Sequence, residues 1–355
     1  MSAAVQGKRF RVFIIPPERL FRDQQVGAEA PESLTETRSI RSPWRIASTI
    51  NMQGMMALMK KLLFIVFICL TFSPNAFSCT LWSAQGDDWV QGGGALIAKN
   101  RDWIADHRQV LKLVIPKHGY RYFGIHAEGN DEPGLKAGIN EKGLVVVSST
   151  AGSISRKLRK ESDRTKGLLA KLLNESDSVD SALKKERMFV GPRNIMLADK
   201  TKIAVIEIGL NGEYSVAVKQ NGVLTQTNHY LDEKLLKFNE KTGESSRRRR
   251  QRIEELLRNH AKPYSLDDFI AFSEDRNDGP DNSIRRTSST PKKAVTLSVW
   301  IVYFPKNGHP QLYVRLANPK EEEKTSRLNL DDVFYDHKRG AWLSDFERTL
   351  LPPPL

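Results

Sequence analysis

From residue 80 onward, apolar and polar positions mostly alternate with a period of two, which predicts strands. Residues 80–85 and 93–99 (GGALIAK) read as short strands joined by a polar Asp-Asp turn. Residues 109–115 and 120–126 alternate like a hairpin that turns at Lys117-His118-Gly119. Residues 135–139 and 143–149 flank Asn140-Glu141-Lys142-Gly143, and the β-branched segment LVVVSS predicts a buried strand. Residues 161–187 change to a helical period. Leu168, Leu169, Leu172, Leu173, Val179 and Leu183 predict two helices, broken near 174–178, with Ser178 or Asp180 capping the second. Strands return at 194–199, 202–208, 213–219 and 222–226, with turn signals at Asp199-Lys200 and Asn211-Gly212. Residues 247–260 and 265–274 predict helices, and 294–304 with 310–317 predict a long hairpin turning at Asn307-Gly308. The charged run PKEEEKTSR and the closing Pro352-Pro353-Pro354 read as a solvated tail. Strands, a helical insertion, more strands, more helices and a last hairpin fit a layered α+β fold with two sheets covered by helices.

One apolar stretch breaks this pattern. Residues 59–78 read MKKLLFIVFICLTFSPNAFS: Lys60 and Lys61, then an apolar run from Leu62 to Phe72, then Pro74-Asn75 and the small residues Ala76 and Ser78 at the −3 and −1 positions of a cleavage site. That is the pattern of a secretory signal peptide cut before Cys79, and the run is too short for the ~20 residues that span a bilayer. The expected organisation is therefore 1–58 as a leader or a mis-assigned start, 59–78 as the signal, and 79–355 as a single catalytic domain with a C-terminal tail. The product would be exported, periplasmic or secreted, and would touch a membrane only during export.

The cut changes what the two cysteines can do. Cys69 would leave with the signal, so Cys79 would be the lone thiol and the first residue of the processed chain. No intramolecular disulfide can then form. A terminal cysteine carries an α-amine beside its own sulfur. Such amines titrate near pH 7.7–8.0, which suits a general base, and the thiolate is a strong nucleophile. Two other roles compete: a lipidation site, for which Ala76 and Phe77 are a poor fit, and an inert buried thiol.

Composition narrows the classes further. The chain has 355 residues and a formal charge of +13, but 79–355 holds 45 basic and 37 acidic residues, a net +8. That modest excess removes most support for a nucleic-acid binder. The seven histidines are His107, His118, His126, His229, His260, His309 and His337; none lies in a papain-like context or at a metal-binding spacing. Gly92-Gly93-Gly94 lacks the Lys-Ser/Thr of a phosphate loop. No metal and no organic cofactor are expected.

Taken in order, several motifs resemble the choloylglycine hydrolase and penicillin V acylase group of N-terminal nucleophile hydrolases. They are Cys79-Thr80, Lys99-Asn100-Arg101-Asp102-Trp103, Gly138-Ile139-Asn140-Glu141-Lys142-Gly143-Leu144, Thr225-Gln226-Thr227-Asn228-His229-Tyr230, and Ser245-Ser246-Arg247. The resemblance spans nearly all of 79–340. It implies a four-layer αββα sandwich with the nucleophile on an inner strand. By the same resemblance, Cys79 attacks an amide carbonyl, Asp102 orients its amine, Asn228 supplies an oxyanion donor and Arg247 is the site arginine. Lys99 stands where the family usually has arginine, so Arg101 is an alternative guanidinium and Lys99 could instead be a strand-edge charge facing water. A backbone N–H at Thr150 would be the second oxyanion donor, and Asn140 is a further candidate for substrate contact. The implied partner is a small-molecule N-acyl amide, hydrolysed through a Cys79 thioester. An acyltransferase of the same family and an anchored or secreted binding protein without turnover are the alternatives; the sequence leaves oligomeric state open.

Overall fold

A computed structural model of the chain describes residues 78–129 and 132–335. The leader, residues 59–77 of the expected signal and the proline-ended tail lie outside them. Two antiparallel sheets form the centre. The six-stranded sheet runs β10 (Gly222–Gln226), β1 (Cys79–Gln85), β2 (Ala95–Trp103), β11 (Val295–Phe304), β12 (Gln311–Leu316), β13 (Lys324–Asn329). The seven-stranded sheet keeps chain order: β3 (Arg108–Val114), β4 (Tyr122–Glu128), β5 (Gly134–Asn140), β6 (Val145–Thr150), β7 (Arg193–Ala198), β8 (Ile203–Ile208), β9 (Tyr214–Lys219).

The period-two alternation explains how these sheets stack. On β1 and β2, Cys79, Leu81, Ala95 and Ile97 join Phe123, Ile125, Val145, Val147 and Met196 of the other sheet in a shared core. The alternate residues Trp82, Ala84, Leu96 and Ala98 face away, onto α4 (Glu244–Asn259) and α5 (Leu266–Ser273) through Ile253, Leu257, Phe269 and Phe272. The far face of the other sheet, with Leu144, Val146, Ile195 and Leu197, is covered by α2 (Leu168–Glu175) and α3 (Val179–Leu183). Four layers, helix–sheet–sheet–helix, result. Strands buried on both faces need apolar residues at every position, which is why LVVVSS reads as a continuous run. Ser178 caps α3 in a capping box, as its position before Val179 predicts.

The GINEKGL motif is a structural corner. A Cβ at Gly138 would lie 2.8 Å from Leu173 Cδ1, so glycine here lets the Leu173 side chain of α2 pack directly against β5. Gly143 turns the chain at φ +87. Asn140 does not contact the nucleophile: its Nδ2 donates to the carbonyls of Leu173 and Ser176, and its Oδ1 accepts from the amides of Lys142 and Leu144. The expectation of a substrate-contacting Asn140 is thereby corrected. Its four hydrogen bonds are spent on a helix end and a tight turn.

The charged run also departs from expectation. Residues 324–329 are not solvated tail but the edge strand β13, paired with β12 from Gln311↔Asn329 to Leu316↔Lys324. An edge strand needs one partner only, and its exposed charges discourage a further strand from adding. Two short helices, α1 (Arg156–Glu161) and α6 (Gly279–Asn282), and a last one, α7 (Leu330–Tyr335), have no periodic signature in the sequence.

Because Phe269 is fully buried between α5 and the six-stranded sheet, Phe269→Ala should lower the unfolding free energy by about 3–5 kcal/mol in urea titration.

Candidate active site

Cys79 opens β1, and its rung partner on β2 is Arg101. Its side chain lies in the inter-sheet core and is 5% exposed. Residues 99 and 101 point to the same side as Cys79, and residues 100 and 102 to the other. The bulge on β11 between Thr296 and Ser298 falls opposite Asp102 and Arg101, breaking the ladder's regularity at this point.

Two side chains converge on the backbone of Cys79. The Cys79 amide donates to Asn228 Oδ1 at 2.9 Å. Arg249, fully buried on α4, donates from Nη1 to the Cys79 carbonyl at 2.7 Å and to Thr80 Oγ1 at 2.8 Å, and from Nη2 to Asn228 Oδ1 at 3.0 Å. Asn228 Nδ2 donates to the Thr150 carbonyl at 2.9 Å. Two donors on Oδ1 and a carbonyl acceptor on Nδ2 fix which way the amide faces. The second N–H of that amide has no acceptor among the described residues, and a developing oxyanion needs such a donor.

Asn228 is held from every side. Its amide donates to Ser246 Oγ, and its carbonyl accepts from the Ser153 amide. Before it, the Thr227 carbonyl accepts from Ser149 Oγ and from Asn194 Nδ2, both on the seven-stranded sheet. After it, buried Glu207 accepts from the amides of Leu231 and Asp232 and from Gln226 Nε2. Burial raises the Glu207 carboxyl above its ordinary range, and these hydrogen bonds pull against that rise.

The cations around the sulfur divide the work. Arg101 lies close enough to the Cys79 side chain for the two charges to interact, and Cys79 holds its guanidinium up against the lowering by burial. Its Nε donates to Gln109 Oε1 at 2.8 Å, its Cζ lies 5.0 Å from the Trp103 ring centroid, and its Nη2 is buried without a partner. Lys99 is not a water-facing edge charge, being 2% exposed. Its Nζ donates to the carbonyls of Lys136 at 2.7 Å and Ser148 at 2.5 Å. These carbonyls belong to β5 and β6, whose ladder is limited to 137–139 and 145–147. Lys99 therefore wedges the place where the two strands part. Burial, with Arg101 adding to it, lowers its ammonium to about 8, against the pull of Cys79 and Asp102.

Asp102 lies on the helix side of β2. Thr296 Oγ1 donates to its Oδ1 at 2.7 Å, while its Oδ2 is buried without a partner. Burial pushes its carboxyl up, opposed by the charges of Arg286, Arg249 and Arg101 and by the Thr296 bond. Since Cys79 pairs with Arg101, the next rung sets Asp102 beside the bond between Ser78 and Cys79.

The assignment of Arg247 is corrected. Arg247 is exposed on α4 and donates to the Thr242 carbonyl. Two residues on a helix are about 200° apart, so the buried stripe Ser246, Arg249, Ile253, Leu257 excludes 247. The signal was present: Arg249 is four residues before Ile253. Thr150 is at the site, but it is its carbonyl that meets Asn228. His229 turns to Ser246 Oγ at 2.8 Å, and burial together with the charges of Arg250, Arg249 and Arg247 lowers it to about 4. Among the described residues no group of acidic, histidine and cysteine side chains could hold a metal.

Residues 89–321 match the protein family described as acyl-coenzyme A:6-aminopenicillanic acid acyl-transferase. No curated protein matches the chain by sequence. Among solved structures, a variant of conjugated bile acid hydrolase from Clostridium perfringens is similar at 16% identity, covering 72% of this chain and 93% of that one, with a TM-score of 0.45. The N-acylethanolamine-hydrolyzing acid amidase ortholog from Caenorhabditis elegans is similar at 12% identity, covering 64% and 94%, with a TM-score of 0.41.

Removing Arg249 leaves four acceptors short, the Cys79 carbonyl, Thr80 Oγ1, Asn228 Oδ1 and Ser245 Oγ. Arg249→Met should therefore lower stability by about 1–3 kcal/mol in urea titration, whereas Arg247→Met should stay within about 0.5 kcal/mol. Acidification supplies a second check. His229 and His126 both sit at about 4 in the folded chain, against 6.5 for a free histidine. Their contribution is intact above 6.5 and is lost as pH falls toward 4, because only the unfolded chain takes up these protons. The stability-against-pH slope in that window should be shallower in His229→Asn.

Proposed function

Given that the chain belongs to the acyl-coenzyme A:6-aminopenicillanic acid acyl-transferase family, and so to the N-terminal nucleophile amidases and acyltransferases, we propose that it is an exported cysteine amidase. In this reading the signal at 59–78 is removed and Cys79 becomes residue one of a single catalytic domain, 79–355. Its α-amine takes the thiol proton, and the sulfur attacks the carbonyl carbon of a linear N-acyl amide. The oxyanion forms against the spare N–H of Asn228, a contact worth about 2.7–4 kcal/mol in comparable sites. The amine then returns the proton to the departing nitrogen, and a thioester remains on Cys79. Water releases the acid and regenerates the thiol.

The observation that supports this reading best is the grip on Cys79. Its nitrogen meets Asn228 and its carbonyl meets Arg249, so both ends of the residue are fixed while the sulfur faces the interior. Geometry held this way favours attack from one direction. The buried, unpartnered Oδ2 of Asp102 is a fitting acceptor for the extra N–H that a free amine gains.

A second reading is acyl transfer, in which an acceptor amine rather than water takes the acyl group from the thioester. The description of the family as an acyl-transferase favours it. Release of free acid in water, against formation of a new amide when an amine is added, separates the two.

Cys79→Ala should abolish amine release from a panel of N-acyl amides while circular dichroism stays native, and retained turnover would overturn the assignment. Leaving one extra residue before Cys79 should also inactivate, because the base becomes an amide nitrogen. Intact mass of active material should give a chain starting at Cys79 with an uncapped amine.

A further inference from the structure

Asp102 has a neighbour that none of the sequence motifs contains. Arg286 lies in the segment between α6 and β11 and shares Thr296 with the carboxylate. The Arg286 amide donates to Thr296 Oγ1 at 2.9 Å, the Thr296 amide donates to the Arg286 carbonyl at 3.0 Å, and Thr296 Oγ1 donates to Asp102 Oδ1 at 2.7 Å. One hydroxyl thus ties the backbone of Arg286 to Asp102. Both side chains are confined: Asp102 has no exposed surface and Arg286 is 7% exposed. Asp102 Oδ2, Arg286 Nε and Arg286 Nη1 are all buried without a partner.

The cations within electrostatic reach of Asp102 include Lys99 and Arg101 on its own strand, Arg249 on α4, Arg315 on β12, and Arg286. The first four have bonds elsewhere. Lys99 donates to the Lys136 and Ser148 carbonyls, Arg101 to Gln109, Arg249 to Cys79, Thr80 and Asn228, and Arg315 to Glu274. Arg286 Nε and Nη1 have no such acceptor among the described residues. Burial pushes the Asp102 carboxyl up, and Arg286 is the strongest charge opposing that rise, ahead of Arg249 and Arg101. A buried guanidinium carries a desolvation cost that a facing charge offsets.

We propose that Arg286 is a positioning residue of the site: by charge rather than by a direct bond, it keeps Asp102 ionised and leaves Oδ2 free to accept from the Cys79 amine. This rests on the reading of Cys79 as the first residue of the processed chain, with Asp102 as the partner of its amine. A guanidinium bonded to Oδ2 would occupy the place that the amine needs. Arg286, tied to the other oxygen through Thr296, supplies the charge without filling that place.

Two readouts on the exported protein test this. The first needs no substrate: urea midpoints at about pH 4 and about pH 8 for the unchanged protein, Arg286→Met, Asp102→Asn and the double variant. Arg286→Met lets the folded-state carboxyl rise further, so its loss in midpoint should be about twofold or more larger at the higher pH, where the unfolded chain holds Asp102 charged. With Asp102→Asn in place, Arg286→Met should cost the same at both pH values. A loss that ignores pH, or one that depends on pH equally without the carboxylate, overturns the proposal. The second readout is amine release from N-acyl amides. Arg286→Met should move the acid limb of the kcat/KM profile up by about one pH unit, a tenfold loss below that limb, with kcat falling more than KM changes. Arg286→Lys keeps the charge and should restore the limb. A limb unmoved by Arg286→Met, or not restored by Arg286→Lys, overturns the proposal. If Arg286→Met does not fold, Thr296→Val, which cuts the link, should move the limb the same way by less, and no movement overturns it. Turnover retained in Cys79→Ala would sink the nucleophile reading instead, and the urea comparison would still report on Arg286 and Asp102.

Discussion

The guanidinium of Arg249 is the interaction on which the site depends. A cation with no exposed surface must find its partners inside the protein, and Arg249 finds the carbonyl of Cys79, the hydroxyl of Thr80 and the amide oxygen of Asn228. One side chain from the outer helical layer thus locks the first strand of one sheet to the loop after β10. Burial lowers its own charge affinity to about 10, still far above neutrality, with Asp102 the largest opposing influence. The helix α4, the strand end and the oxyanion candidate cannot move independently while that cation is in place.

Much of the fold was legible because its strands obey simple rules. Period-two alternation and β-branched runs located most of the strands, and Ser178 announced its helix. The misses have physical causes. Residues 324–329 carry charge because an edge strand is half solvated, and charge masked the strand. The sequence left Lys99 open between a site cation and a water-facing edge charge, because nothing in a linear pattern reveals two carbonyls waiting where β5 and β6 part. Arg247 and Arg249 are neighbours in an arginine run, and only the helical phase set by Ile253 and Leu257 separates the exposed one from the buried one. The motifs around Cys79, Asp102, Asn228 and the arginine run lie on elements that meet beside Cys79, while GINEKGL, the most recognisable of them, shapes a corner.

The two faces of β2 divide chemistry from its support. Lys99 and Arg101 face the sulfur and the sandwich interior, whereas Asn100 and Asp102 face the helices, where Asn100 ties down the carbonyls of Ser273 and Ile284. A strand that alternates in this way can place charge on both sides within four residues. The bulge in β11 opposite the same residues shows where the ladder gives up regularity to accommodate them.

Ser78 is 1% exposed. The peptide bond joining it to Cys79 is therefore sealed within the folded domain, out of reach of any external protease. If the proposed cut before Cys79 is made, an outside enzyme would have to act before the sandwich closes, or else the closed protein would have to cut itself; under that proposal, a chain that folds too early and lacks the second route would be complete in shape and silent.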